Sequence, residues 1–395
     1  AGGEITDTGA LAITGVTTIA AGSGNNITLD HTSNNFQAAV IITSGNNVTL
    51  VDAGAIDLGA STVSGTYGIT AGGAVTDSGT QEITGVTTIA AGSGNDITLN
   101  TSTNNFAATV VITSGKDVTL VDEDGIDLGA STVSGTYGVT AGGAVTDSGT
   151  QEISGITTIS ASGQNVTLNT ATNNFADEVR ITGAAVALAD EDAIDLGAST
   201  VSGAYTLTAG GNVTDSGTVT VGGNLSVTTS AGNGLINMGT IEVDGTLALA
   251  TNGNGAATVV NDVGLNFAAS TVGGDLSATA TTGNITDSGA LLITGNSIFT
   301  AADGQSATLN NNNNFTGTVT FAATSGNLKN VTITDITALD LAELTLAQVS
   351  SAGGNLTVTT GDALTDSGAL IIPGTTTITA TGQVVDLDHT SNNFA

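Results

Sequence analysis

A long sequence unit that repeats along the chain constrains its fold more than any other feature. The tetrapeptide Thr-Asp-Ser-Gly recurs at Thr76, Thr146, Thr214, Thr286 and Thr365, with a near-copy at Thr6. The tripeptide Asn-Asn-Phe recurs in the same way, at Asn34, Asn104, Asn173, Asn313 and Asn392. Self-similarity at a fixed period is typical of stacked repeat architectures. The sequence therefore predicts one continuous repeat shaft over 1–395, with units over residues 6–75, 76–145, 146–213, 214–285 and 286–364 and a truncated unit over 365–395.

Each unit contains short runs in which apolar residues and threonines alternate. In the run Ile27-Thr28-Leu29, a strand would place the two apolar side chains on one face and the threonine on the other. Clusters of Gly, Asn, Ser and Asp, which favour turns, separate these runs. A helix-tolerant stretch, Ala338 to Ala347, lies in the longest unit, and we interpret it as an irregular insertion. The pattern predicts an all-β chain.

The spacing of the β-branched runs predicts stacked coils. Such runs open at Val16, Val40, Val63 and Val86, at nearly equal intervals along the sequence. These steps predict three coils of about 23 residues per unit and about 17 coils in all, a parallel β-helix (β-solenoid) on the order of 80 Å long at about 4.8 Å per step. A narrow core of Val, Ile, Leu and Ala suits a chain with 3% aromatic residues and one proline. Immunoglobulin-like sandwiches are the structural alternative, but a unit of this length without Trp fits them poorly.

The charge balance excludes several classes of partner. The chain has 35 acidic and 3 basic residues, a formal net charge of −32. Three cations cannot neutralise a phosphate backbone, so a nucleic-acid partner is excluded. No stretch approaches the roughly 20 apolar residues that cross a bilayer, so we expect no membrane insertion. The absence of Cys excludes disulfides and thiolate metal sites.

Two carboxylate clusters are candidate cation sites. We interpret them first as exposed acidic turns and second as weak calcium sites, because hard cations bind several carboxylate oxygens. Paired carboxylates also serve glycoside hydrolysis, but these clusters follow the repeat, whereas a catalytic site normally occurs once. No other cofactor is expected. The candidate calcium ligands are Asp122, Asp124 and Asp127 in one unit and Asp190, Asp192 and Asp195 in the next.

Other activities have weaker support in the sequence. A pectate-lyase-type enzyme needs a basic residue to bind an acidic sugar, and Lys116, Arg180 and Lys329 occupy different places in their units. Ice binding would require Thr-x-Thr at the same place in every coil. Along the sequence the threonine runs, such as 375–379 and 218–221, shift position and are interrupted. We therefore favour neither activity and predict that the chain is not an enzyme.

The repeats resemble those of a known group of proteins. The Thr-Asp-Ser-Gly, Ile-Thr-Gly-Val-Thr-Thr-Ile and Asn-Asn-Phe segments are similar to the repeat region of filamentous-haemagglutinin-like exoproteins, which are large bacterial adhesins exported by two-partner secretion. The resemblance implies a right-handed β-helix, secretion to the cell surface or biofilm matrix, and an outer-membrane secretion partner. The secretion domain of such proteins carries Asn-Pro motifs, and we do not expect it within this sequence because the only proline is Pro373.

The sequence and the resemblance together predict a structural role. We expect a rigid spacer in a secreted adhesin that mediates attachment between cells or between cells and matrix. The ligand, an exopolysaccharide or another matrix component, would then bind to other parts of the full protein. The alternative is that the β-helix face itself binds exopolysaccharide.

Overall fold

The structure, a computed structural model, describes residues 2–347 and 353–395, and all regular structure in these ranges is β-strand. The strands stack in parallel as a β-solenoid of about 18 turns with about 21 residues per turn, which confirms the predicted fold class. The described residues contain no helix that could cross a membrane. The chain divides into two compact halves, Ala1–Glu191 and Asp192–Ala395.

The N-terminal half contains two main parallel sheets and a set of short side strands between them. Sheet 1 consists of Ile5–Thr6, Ile27–Leu29, Val48–Asp52, Tyr67–Ala71, Thr87–Ala90, Val110–Ser114, Ile126–Leu128, Val145–Asp147, Val166–Leu168 and Val186–Asp190. Sheet 2 consists of Thr17–Ala20, Val40–Gly45, Ile56–Val63, Val75–Asp77, Ile97–Leu99, Val118–Asp122, Tyr137–Ala141, Thr157–Ser160 and Val179–Gly183. The side strands are Ala12–Ile13, Asn35–Phe36, Gln81–Ile83, Asn105–Phe106, Ser131–Val133, Gln151–Ile153 and Asn174–Phe175.

The C-terminal half has the same organisation. Sheet 3 consists of Tyr205–Ala209, Leu225–Thr229, Leu247–Ala250, Leu265–Phe267, Ile285–Asp287, Ala307–Phe315, Asn330–Asp335, Asn355–Thr360 and Thr376–Thr379. Sheet 4 consists of Ile194–Leu196, Val213–Asp215, Ile236–Val243, Ala257–Asn261, Leu276–Ala280, Ser297–Ala301, Thr318–Ala323, Leu339–Leu341, Leu364–Asp366 and Val385–Asp386. The side strands are Ser199–Val201, Val219–Val221, Ser270–Val272, Leu291–Ile293, Leu344–Thr345, Leu370–Ile372 and Asn393–Phe394.

The core is a column of alternate side chains from the stacked strands. Val48 and Leu50 are buried while Thr49 between them is exposed, as expected for a strand with one face in the core. Ile27 pairs with Val48, so apolar residues of successive coils lie directly above one another. Most of the few aromatic side chains are also inside: Tyr67 is 1% exposed, whereas Phe394 in the last coil is 38% exposed. The predicted narrow aliphatic core is confirmed.

The predicted three coils per sequence unit are wrong, because each unit makes three and a half turns. Seven inter-coil steps on sheet 1 lead from the strand at Ile5 to the strand at Val145, which lies two sequence units later. One sequence unit therefore spans half of these seven steps, which is three and a half turns. The steps join Ile5 to Ile27, Ile27 to Val48, Val48 to Tyr67, Tyr67 to Thr87, Thr87 to Val110, Val110 to Leu128, and the Leu128 strand to Val145.

The half turn places equivalent residues of successive units on opposite sheets. Tyr67 lies on sheet 1, whereas Tyr137, its equivalent one unit later, lies on sheet 2. The C-terminal half shows the same alternation: Val213 is on sheet 4, Ile285 on sheet 3 and Leu364 on sheet 4. Equivalent residues in the described halves thus return to one sheet only after two units.

The error in the predicted coil number has an identifiable cause. Val40 opens a strand of sheet 2, whereas Val63 ends the next strand of that sheet, Ile56–Val63, and pairs with Ile83 of a side strand. The two valines are therefore not equivalent positions of successive coils. Val86 is 39% exposed and precedes the strand at Thr87. The evenly spaced β-branched runs therefore do not lie at the same place in successive coils, and their spacing does not give the length of a coil. The predicted irregular insertion at Ala338–Ala347 instead contains two short coil strands, Leu339–Leu341 and Leu344–Thr345.

Glycine is required where the backbones of successive coils come close together. A Cβ atom added to Gly85 would lie 2.4 Å from the carbonyl carbon of Gly65 in the neighbouring coil. We expect Gly85→Ala to lower the free energy of unfolding by about 1–3 kcal/mol, the usual cost of overpacking. Gly94→Ala is the matched control, because a Cβ there meets nothing within 4 Å. Urea unfolding of both variants measures the difference. Equal stability would contradict the expectation, because it would mean that the neighbouring coils accommodate a Cβ at Gly85 without cost.

Candidate functional site

The most regular polar feature of the structure is a buried network that joins three successive coils. In the second repeat the Asn104 side chain is completely buried. Its Nδ2 donates to Asp77 Oδ2 at 2.6 Å, and its Oδ1 accepts from the Gln81 backbone N–H at 2.9 Å. Two positions later the Phe106 N–H donates to Asp122 Oδ2 at 2.8 Å. We call this Asp–Asn–Asp set the inter-coil ladder.

The inter-coil ladder recurs with the repeat and explains its sequence markers. The first Asp belongs to Thr-Asp-Ser-Gly, the Asn is the first of Asn-Asn-Phe, and the second Asp ends a later strand. Because both carboxylate and amide atoms satisfy backbone groups that would otherwise be buried without a partner, each ladder stabilises the stacking of its coils. The other complete sets are Asp7, Asn34 and Asp52; Asp147, Asn173 and Asp190; and Asp287, Asn313 and Asp335.

The repeat that begins at Thr214 preserves the ladder with different side chains. Asp215 accepts hydrogen bonds from the backbone N–H groups of Gly239 and Thr240, both at 2.7 Å. Asn261 takes the place of the second Asp, and its Oδ1 accepts from Val243 N–H at 2.8 Å. A neutral amide can therefore fill the position of the buried carboxylate.

The structure gives the Asn-Asn-Phe segments a structural role. The Asn34 amide bonds between coils, and Phe36 is an inward side chain with 2% exposure. These asparagines do not adopt the left-handed backbone that Asn tolerates, because Asn233, with φ 59°, is the non-glycine residue with a positive φ among the described residues. The burial of the amide, rather than a special backbone angle, accounts for Asn at this position.

Burial and hydrogen bonding shift the pKa values of the ladder carboxylates in opposite directions. Burial raises the pKa of Asp122, and the N–H groups of Phe106 and Asp124 offset only part of this effect. Burial also raises the pKa of Asp335, against hydrogen bonds from Thr337 and Phe315. At Asp7 the desolvation is outweighed by hydrogen bonds from Asn34 and nearby backbone groups, so its pKa is lowered.

The predicted calcium ligands of the second repeat lie in different environments, and the interpretation of the cluster as an exposed acidic turn is wrong at Asp122. Asp122 is 2% exposed, and its two oxygens accept backbone N–H groups of Phe106 and Asp124. The Asp124 side chain is exposed at the turn. Asp127 lies on the outward face, where its Oδ2 accepts from the hydroxyls of Thr109 and Ser148, both at 2.7 Å.

The later predicted ligands follow the same pattern in their own halves of the chain. Asp190 is buried and accepts from Phe175 N–H at 2.8 Å. Asp192 is exposed, and Asp195 accepts from the Thr214 hydroxyl at 3.1 Å. Within residues 2–347 and 353–395, no group of three or more His, Cys, Asp or Glu side chains is placed to hold a metal ion. Calcium binding stays a prediction from the sequence.

Two of the three basic residues considered for lyase chemistry, Lys116 and Arg180, form local ion pairs. Lys116 Nζ is 2.7 Å from Asp117 Oδ2 and 3.8 Å from Asp96 Oδ1. Arg180 binds the Glu178 carboxylate through two nitrogens, at 2.9 and 2.6 Å. These pairs lie at the surface, with the Glu178 side chain partly buried, and contribute little to stability.

The side strands form a polar outward surface that the sequence did not single out. Glu82 pairs with Thr62 on one side and with Asn105 on the other, so hydroxyl, carboxylate and amide groups stack in one column. These three side chains line a shallow surface groove. The next repeat stacks Thr132, Glu152 and Asn174 in the same order. We call these two sets the Thr–Glu–Asn columns.

The two Thr–Glu–Asn columns lie on opposite edges of the coils. The strand Gln81–Ile83 follows a sheet 2 strand and precedes a sheet 1 strand. Its equivalent, Gln151–Ile153, follows a sheet 1 strand and precedes a sheet 2 strand. A coil passes from sheet 1 to sheet 2 at one edge and returns at the other. The half turn per repeat therefore places the column of the next repeat at the opposite edge.

The stacked coils and the inter-coil ladders define a parallel β-solenoid repeat protein. The family described as repeats of unknown function (DUF5649) matches residues 1–43, 45–113, 115–182, 183–238, 254–322 and 328–395, and the chain belongs to this family. Neither the comparison with curated proteins nor the comparison with solved structures found a match.

The buried carboxylate of the ladder predicts a pH-dependent stability. The raised pKa of Asp122 means that the folded chain binds this proton more tightly than the unfolded chain. The resulting stabilisation is complete below the ordinary value of 3.8 and is lost as the pH rises through the raised pKa. The stability of Asp122→Asn relative to the unmodified chain should therefore increase from acid to neutral pH. Thermal unfolding across this range measures the change, with the exposed Asp124→Asn as control; parallel curves for all three proteins would contradict it.

Proposed function

We propose that the chain is a structural segment of a secreted bacterial adhesin, a spacer that mediates attachment between cells or between cells and matrix. The observation that carries this proposal is the recurrence of the inter-coil ladder. In four repeats the same Asp, Asn and Asp side chains join one coil to the next. A fold stabilised by nearest-neighbour contacts can be lengthened by adding repeats without a new core.

The charge distribution suits a spacer on a crowded surface. The chain has 35 Asp and Glu residues against 3 Lys and Arg residues, and Lys116 and Arg180 are already paired with local carboxylates. Neighbouring copies should therefore repel at low salt and approach each other as the Debye length falls below about 8 Å. Secretion through an outer-membrane partner and a place at the cell surface or in the biofilm matrix form part of the proposal and rest on the resemblance of the repeats.

Direct binding of exopolysaccharide is the second candidate, and the Thr–Glu–Asn columns are the observation that favours it. Thr62, Glu82 and Asn105 offer a hydroxyl, a carboxylate and an amide along one groove, a combination that can exchange hydrogen bonds with sugar hydroxyls. The columns on opposite edges would allow one chain to contact two polysaccharide strands. A neutral polymer fits this surface better than an acidic one, which the net charge of −32 repels.

Deletion of whole repeats separates the two candidates. Removal of residues 76–145 takes away three and a half turns and turns the following coils by half a turn, whereas removal of 6–145 takes away seven turns and keeps their facing. A spacer should become shorter by about 17 Å when 76–145 is removed and by about 34 Å when 6–145 is removed, at about 4.8 Å per turn. Cells displaying either variant should still adhere.

The measurement is cell adhesion to matrix-coated surfaces together with the distance of a C-terminal tag from the cell. The deletion of 6–145 removes Thr62, Glu82, Asn105 and Thr132 and leaves neither column complete. Loss of adhesion by this variant while it stays folded would therefore contradict the spacer and favour binding through the columns. Circular dichroism of each deletion variant confirms that the remaining coils are folded.

A further inference from the structure

Sheet 3 carries a column of outward threonines that runs through five consecutive coils. Thr308 pairs in parallel with Thr286 on one side and with Thr332 on the other. Thr357 pairs with Thr332 and with Thr377 in the same way. Each of these side chains is partly or fully exposed, on the face of sheet 3 that points away from the core.

A second column of threonines lies beside the first in the last three of these coils. Thr359 pairs with Thr334 and with Thr379, each two positions after a threonine of the first column. Thr-x-Thr therefore occupies the same place in three successive strands. Between the two columns Ile333 and Val358 point inward and are completely buried, so the array has a packed core behind it. We call these eight residues the threonine array.

The sequence conceals the array because the coils differ in length. The interval from Thr332 to Thr357 is longer than the interval from Thr357 to Thr377, although each spans one coil. The turns absorb this difference, since the strands remain in register across every step of the first column. The sequence-based expectation that the threonine runs shift position is therefore wrong for this part of sheet 3.

The threonine hydroxyls of the array are largely free to bind an external ligand. Within the described residues, Thr286 Oγ1 donates to the Leu265 carbonyl oxygen at 3.2 Å, and the other seven hydroxyls have no side-chain hydrogen bond to protein. Threonine is restricted at χ1, so a strand fixes the positions of its hydroxyl and methyl groups. The array thus presents hydroxyls and methyls at repeat distances of about 4.8 Å between coils and about 6.7 Å along a strand.

We propose that the threonine array binds ice. A surface that repeats in two directions matches a ligand that also repeats in two directions, and these two distances are close to oxygen spacings on faces of hexagonal ice. Small soluble ligands instead bind in concave pockets that enclose most of their surface. Uncharged hydroxyl and methyl groups on a rigid sheet can hold lattice water, whereas the flexible charged side chains that cover most protein surfaces disorder it.

The first experiment tests whether the full chain binds to ice. Fluorescently labelled protein should be incorporated into a slowly growing ice hemisphere, and ice crystals grown in its presence should be faceted. Thr357→Tyr, in the middle of the three coils that carry both columns, should abolish both effects because the ring stands above the neighbouring threonines. Tyrosine favours strands, so the coil should still form.

The matched control is Thr258→Tyr, an exposed threonine of sheet 4 that pairs with Asn237 and Ser277. It should leave ice incorporation unchanged, and circular dichroism should show the same β content for both variants. The proposal is overturned if the unmodified chain is excluded from ice, or if both variants lose incorporation equally while folded. Binding of the chain to microcrystalline cellulose through Thr357 without binding to ice would also overturn it.

Discussion

The stacking of coils depends on satisfying polar groups that lie between them. A narrow solenoid has few large side chains to bury, so the backbone hydrogen bonds between coils and the buried Asp and Asn side chains fix how one coil lies on the next. Asn104 is completely buried and joins Asp77 of the preceding coil to the backbone at Gln81. An unsatisfied buried donor would cost about 1–3 kcal/mol at each such place. The recurrent sequence markers of this chain are therefore explained by the contacts between coils.

Much of this fold could be predicted from the sequence because its determinants are local. Alternation of apolar and polar residues, as in Ile27-Thr28-Leu29, marks the strands and their buried faces. The ladder could also have been found, because Asn34 follows Asp7 at the same interval at which Asn104 follows Asp77. An Asp and an Asn that recur together, at a constant sequence interval slightly longer than one coil, indicate a contact between coils.

The number of turns per repeat could not be read in the same way. Main strands and side strands have similar β-branched sequences, so Val40 and Val63 look equivalent although they lie in different parts of the coil. The threonine array was hidden for a related reason, since the loops between its strands vary in length while the register does not. Both features depend on which residues pair across coils, which a single sequence does not contain directly.

The half turn per repeat determines which way every repeated surface faces, and a pair of distances tests it most directly. Thr28 and Thr88 lie three steps apart on sheet 1, whereas Thr88 and Thr158, one repeat apart, lie on sheets 1 and 2. Spin labels at Thr28 and Thr88 should be about 14 Å apart along the stack. Labels at Thr88 and Thr158 should give a clearly longer distance, because they add the separation of the two sheets, about 10 Å, and point in opposite directions. Equal distances for the two pairs would mean three whole turns per repeat and would contradict the structure.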